Sequence, residues 1–148
     1  MQTAERPRRP VTVWLLIALL LFQGLGGLAG GLALSARPDG SVMGMPTSYL
    51  DGSPFSDYLI PGLILLLVLG VLPLVAAAGL WMRRRWAWYA GFVVGCGLMI
   101  WILVEITIIP YDILQIVFGG IGVLIFVVSL LRPVRRFYGV GLPGEAGA

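Results

Sequence analysis

Four long apolar runs occupy most of this chain, at Val11 to about Leu34, Leu59 to Leu80, Ala87 to Ile109 and Ile113 to Leu131. Each holds about 19 to 24 residues, and at a helical rise of ~1.5 Å per residue that is enough to cross a hydrocarbon core of ~30 Å. The helices of a water-soluble bundle keep a polar stripe at helical spacing. Stretches such as Ile60 to Leu80 and Ile113 to Leu131 are instead apolar on nearly every face. With 59% hydrophobic and only 11% charged residues, an ordinary soluble domain is excluded. The expected fold is all-α: a polytopic membrane protein folded as an antiparallel four-transmembrane-helix bundle, with an outside loop between helices 1 and 2.

Placement of charge orients the bundle. Arg6, Arg8 and Arg9 precede the first run, Arg83, Arg84 and Arg85 separate the second from the third, and Arg132, Arg135 and Arg136 follow the fourth. The other ends of the runs hold only Arg37, with Asp39, Asp51, Asp57 and Asp112. Arginine excess marks the cytoplasmic side. The 148 residues therefore read as one membrane domain: a cytoplasmic tail at 1–10, spans at 11–34, 59–80, 87–109 and 113–131, an outside loop at 35–58, a cytoplasmic turn at 81–86, an outside turn at 110–112 and a cytoplasmic tail at 132–148. The first run is too long for the ~7 to 15 apolar residues of a secretory signal, so it is expected to remain as a span. The net charge of +3 is spent on orientation, and no nucleic-acid partner is expected. The partners expected are the bilayer itself, anionic lipid headgroups at the cytoplasmic arginines, and either a second copy of the chain or another membrane protein. In the segment Trp81 to Tyr89, aromatic rings flank three arginines, the composition of an interfacial anchor.

Glycine marks where helices approach closely. Gly26 with Gly30 and Gly27 with Gly31 form two overlapping small-residue registers on the first helix, and Gly91 with Gly95 forms one on the third. Small residues four apart make flat contact strips in lipid. The first helix's strips serve either a homodimer or packing between helices of one chain. Pro73, inside the second run, cannot donate to the carbonyl of Leu69, so a kink is expected near Gly70 to Pro73. Gln23, midway along the first run, is expected to hydrogen-bond across to another helix, at a depth too far from Glu105 to share a site with it.

Chemistry-bearing residues are scarce. The chain has no histidine and a single cysteine, Cys96, so an intramolecular disulfide and a Cys or His catalytic site are excluded, and no metal or cofactor is expected. Glu105 is the one carboxyl group within a run, and such a group must face protein, water or its own proton. It lies four residues before Ile109, roughly 6 Å below the outer end of the helix. The turn at Tyr111 and Asp112 brings Gln115 to a comparable depth, and Asp57 and Tyr58 enter the second run from the same side. Glu105, Gln115, Asp57, Tyr58, Tyr111 and Asp112 thus form a candidate outer polar site. Glu105 acts there either as a hydrogen-bonded clasp with Gln115 or as a ligand or proton site.

From Leu50 to Gly62, through Leu50-Asp51-Gly52-Ser53-Pro54-Phe55-Ser56-Asp57-Tyr58, and again at Trp101 to Ile106, the chain resembles a group of small, uncharacterised four-span bacterial integral membrane proteins. The resemblance runs over about residues 49–131. It implies a location in the bacterial inner (plasma) membrane, multi-pass with N- and C-termini cytoplasmic, and no activity. Small multidrug exporters are similar in having four spans and one membrane carboxylate, but theirs lies in the middle of the first helix. Here that place holds Gln23, which counts against an exporter. The function expected is that of an accessory or interaction protein of the inner membrane, not an enzyme. The alternative is a small proton- or cation-coupled transporter using Glu105. A lipid-modifying enzyme would have only Asp57 and Glu105 as a carboxylate pair.

Overall fold

A computed structural model of the protein describes residues 7–141; Arg6 and the end of the expected C-terminal tail lie outside the described residues. Four helices are long and apolar enough to cross a membrane: α1 (Val11–Ala36), α2 (Leu59–Trp81), α3 (Arg85–Ile108) and α4 (Ile113–Leu130). A short helix α5 (Arg132–Phe137) follows, where a plain tail was expected. α1 lies against α2 along its length and α3 against α4, while contacts of α2 with α3 and of α1 with α4 close the bundle. Only 28 to 39% of the residues in the apolar windows are buried by protein. Side chains such as Leu25, Leu103 and Ile100 stand outward, each more than half exposed, an arrangement that lipid rather than water tolerates. This is a small all-helical, multi-pass membrane protein.

The second span carries the expected distortion in a specific form. Residues Leu67–Val71 form a turn of π-helix, in which the Leu72 N–H bonds the Leu67 carbonyl five residues back. Pro73 follows directly, and a proline that cannot supply an N–H is a common cause of such a register change. The Leu69 carbonyl, which Pro73 cannot serve, accepts a hydrogen bond from Gln23 Nε2 on α1 at 3.2 Å. The polar residue on the first helix thus repairs the backbone of the second.

Glycine makes that repair reachable. A methyl group on Gly27 would lie 2.7 Å from the Gly70 nitrogen, and one on Gly31 would lie 2.5 Å from the Leu66 nitrogen. The Gly27 and Gly31 register is therefore a seam between α1 and α2 of one chain. Gly26 faces the Phe118 ring and Gly30 faces Leu65, while Gly91 meets Leu20 and Gly95 meets the α4 backbone at Phe126. All six glycines expected to form contact strips meet neighbours within the same chain.

At the arginine end the interfacial reading needs correction at three residues. Trp88 is buried, and its indole N–H donates to the Ser129 carbonyl at 2.8 Å, so it ties α3 to α4 instead of anchoring in the headgroups. Arg135 is 5% exposed, with Nε bonded to the Leu130 carbonyl. Arg9 lies between the rings of Trp14 and Trp81, 5.2 Å from each centroid, and donates to the Trp81 carbonyl. Each of the three donates to a backbone carbonyl of the protein, which satisfies it without a headgroup. Trp86, Tyr89 and Arg83 to Arg85 remain exposed, as interfacial anchors do.

Two helix ends here close in the same way. At the end of α2, the Arg84 N–H bonds Gly79 and the Arg83 N–H bonds Leu80; at the end of α5, Val140 bonds Arg135 and Gly139 bonds Arg136. Both motifs need a left-handed residue after the last turn. Gly139 supplies it at φ 65°, but α2 uses Arg83 at φ 57°, whose guanidinium lies over the Phe137 ring at 5.3 Å. The Tyr138 hydroxyl donates to the Leu80 carbonyl at 2.8 Å. Burial pushes the Tyr138 phenol up to about 12, against the opposing pull of Arg9 and Arg83.

The long connection between α1 and α2 folds back on the bundle as two 3-10 turns, Ser41–Met43 and Thr47–Leu50. Leu50 and Tyr58 are buried against Leu34, with Met45, Phe55 and Ile108 packed around them. Gly40, at φ 75°, lets the Met45 carbonyl and the Tyr58 ring approach its α-carbon. Asp39 accepts from the Ser41 N–H and hydroxyl, and these bonds hold its carboxyl below the usual carboxylate range.

Candidate functional site

Glu105 occupies the last turn of α3, half-buried, with the Trp101 indole one turn earlier as its side-chain partner. Three cavities at the loop end of the bundle meet at this carboxyl. The outer one, of ≈ 360 Å³, is lined by Glu105, Tyr111, Asp112 and Gln115 together with Met43 and Tyr49 of the long connection. A side cavity of ≈ 60 Å³ lies under that connection, between Leu50, Tyr58, Trp101 and Glu105. The third, a crevice of ≈ 210 Å³, runs inward along α1 and α3 from Glu105 to Gln23. Glu105 is the one side chain common to all three.

The residues around it are held by local structure. Asp112 is the N-cap of α4: its Oδ1 accepts from the Leu114 N–H at 2.9 Å, and the Gln115 Oε1 accepts from the Asp112 N–H at 3.3 Å. This capping box satisfies orphan donors at the helix start and aims both side chains at the outer cavity. It also changes the role expected of Gln115. No hydrogen bond joins Gln115 to Glu105 among the described residues, so the expected clasp between them is absent; the Gln115 oxygen accepts within the cap. Tyr111 stands 73% exposed at the rim.

Two of the six expected residues sit elsewhere. Tyr58 is almost fully buried, and its hydroxyl donates to the Pro46 carbonyl at 3.1 Å, fastening the long connection. Burial raises its phenol above the ordinary value, with Tyr49 adding to the shift. It borders the side cavity, not the outer one. Asp57 accepts from the Leu59 N–H at 3.0 Å, at the start of α2, and lines none of the three cavities.

Gln23 corrects a second expectation. It lies at the far end of the crevice that begins at Glu105, so the two residues border one space despite their difference in depth. The reason is geometric: Gly26, Gly27 and Gly30 line the α1 wall between them, and no α1 side chain projects across that length of the space. Gln23 is 1% exposed. Its Nε2 is committed to Leu69, and its Oε1 has no hydrogen-bond partner. The remainder of the lining is apolar and aromatic, with Leu98, Ile102 and Phe118 prominent.

Chemically, the arrangement offers acceptors and ring faces. Glu105 and Asp112 supply carboxylates, Gln23 an amide oxygen, and Trp101, Tyr111 and Phe118 supply π surfaces; no arginine lines any of the three cavities. Such a lining favours an organic cation over an anion. Comparison of the chain with family models, with curated proteins and with solved structures finds no match.

Proposed function

We propose that this protein is a small non-enzymatic binding protein of the bacterial inner membrane that takes up an organic cation at Glu105 from the outer side. Both termini lie in the cytoplasm in this reading, supported by the arginines gathered at one end of the bundle and the acidic residues at the other. The single observation that carries the binding role is the meeting of three cavities at one intramembrane carboxylate. A carboxyl kept at that depth is costly unless it has work to do or a partner to satisfy it. Here Glu105 has the Trp101 indole as its side-chain partner, and no hydrogen bond from Gln115 reaches it among the described residues, which leaves acceptor capacity facing the cavities.

The test is calorimetric titration of phenethylamine into purified protein in nanodiscs, comparing wild type with Glu105→Gln. Loss of a charge-assisted bond should weaken binding by about tenfold or more. Equal affinity in the two folded proteins, or no binding to either, would remove the support for a ligand site. The chain would then be better read as an accessory protein acting through its membrane neighbours.

A second reading, the coupled transporter, is favoured by the π turn of α2, whose Leu69 is bonded to the crevice residue Gln23. Such turns recur at functional sites. It requires that phenethylamine accumulate in proteoliposomes carrying a pH gradient, and that Glu105→Gln abolish the accumulation. Binding without accumulation would separate the two readings.

A further inference from the structure

The crevice has two polar ends and an apolar middle, and the far end holds an acceptor without a donor. Gln23 presents its amide in one orientation only, because the nitrogen must be the atom that donates to the Leu69 carbonyl. The oxygen is then left buried and unpartnered, on a residue that lines the crevice. An acceptor buried without a donor is destabilising, so it is a place where a matching group gains more than it would in water.

The length of the space is set by its walls. On α1 it runs from Gln23 to Gly30, and on α3 from Leu98 to Glu105; seven residues at ~1.5 Å give ~10 Å on each side. Between the ends, Phe118 and Trp101 offer ring faces, while Leu98, Ile102 and Leu65 offer aliphatic ones. An occupant that satisfies every part of this lining has a cation at one end, a flat apolar body and a hydrogen-bond donor at the other.

We infer that the ligand is an arylalkyl ammonium ion bearing a terminal hydroxyl or N–H, with its ammonium at Glu105, its ring among Trp101, Ile102 and Phe118, and its far donor on Gln23 Oε1. The inference rests on the proposed cation site at Glu105 and adds the chemistry of the far end. Gln23 would then have two duties, with the nitrogen holding the second span in shape and the oxygen selecting the ligand.

Tyramine, phenethylamine and the methyl ether of tyramine separate the two ends. The three share an ammonium and a ring, but only tyramine can donate from the far end. Wild-type protein in nanodiscs should bind tyramine about two- to tenfold more tightly than phenethylamine, and the methyl ether no better than phenethylamine. In Gln23→Met the tyramine advantage should disappear, while Glu105→Gln should weaken all three amines together. If Gln23→Met fails to fold, the comparison of tyramine with its methyl ether on wild-type protein still reads the donor. Equal binding of all three to wild type overturns the inference. Loss of affinity in Glu105→Gln together with equal binding of the three amines would spare the cation site and refute only the far-end donor. Unchanged affinity in Glu105→Gln would refute the cation site itself.

Discussion

Replacing Pro73 should make Gln23 dispensable as a donor, and a double-mutant cycle measures by how much. In wild type the Leu69 carbonyl is buried on a residue that is 1% exposed, and Gln23 Nε2 donates to it at 3.2 Å. Pro73→Ala supplies a backbone N–H four residues on, in reach of that carbonyl once the π turn relaxes to α register. Interhelical hydrogen bonds in membranes average ~0.6 kcal/mol and reach ~1.7 kcal/mol, which brackets the coupling expected between the two sites. Gln23→Met alone loses this bond but also removes a buried, unpartnered oxygen. Since an unpartnered buried acceptor costs about 1–3 kcal/mol, and the substitution removes one at Gln23 Oε1 while leaving another at the Leu69 carbonyl, the two terms oppose each other in the single substitution. In the Pro73→Ala background the same change should be more favourable by the coupling energy. Reversible unfolding in mixed micelles, followed by tryptophan fluorescence, gives the four stabilities. If the two substitutions add to within ~0.3 kcal/mol, the Gln23 amide is not compensating for the proline and the reasoning fails.

The remaining predictions concern packing and pH. Gly27→Leu and Gly31→Leu should each destabilise the isolated chain by about 3 kcal/mol or more, since the new side chain would strike the α2 backbone. Gly97→Leu and Gly120→Leu, where a methyl group meets nothing within 4 Å, should be close to neutral; thermal unfolding of the four variants checks the contrast, and equal losses would contradict the seam. Tyr138 titrates near 12 in the folded protein against an ordinary 10.0, so its neutral form is favoured by folding. The stability it contributes is fully present below pH 10 and is lost as pH rises through about 12. Alkaline unfolding curves should therefore show a decline over that window in wild type that is reduced in Tyr138→Phe.

Run length was enough to locate the four long apolar helices, because lipid imposes its thickness on any helix that crosses it. The ends differ by one or two residues, as where α3 begins at Arg85 and not at Ala87. The proline-linked distortion was legible too, since the missing N–H of Pro73 is a property of the residue itself. Legibility fails where a side chain chooses between neighbours. Trp88 and Arg135 belong to residue types common at membrane surfaces, and only the positions of the Ser129 and Leu130 carbonyls turn them inward. Gln115 and Asp112 line the outer cavity as expected of them, and the order Asp112-Ile113-Leu114-Gln115 also carries the spacing of a capping box, a signal present in the sequence. The crevice was missed for a different reason. Depth counted along separate helices places Gln23 and Glu105 apart, whereas the crevice runs along both helices and joins the two levels. The Gly27 and Gly31 register closes on α2, and Gly26 and Gly30, facing the Phe118 and Leu65 side chains, leave a groove.

The clamps at the arginine end have a mechanical consequence. Arg9 is held by Trp14 and Trp81, Arg83 rests on Phe137, and Tyr138 is bonded to Leu80, so the segments before α1, after α2 and after α4 are fastened to one another. At the loop end, where the three cavities open, no arginine or tyrosine staple of this kind joins the spans among the described residues; there Leu50 and Tyr58 pack against Leu34 of α1 and Ile108 of α3. A bundle stapled at one end moves like a pair of tongs, with its fulcrum at the staple. Over a lever of ~30 Å, each degree of tilt displaces the free end by about 0.5 Å, so a few degrees would widen the mouth at Glu105 while leaving the arginine end in place.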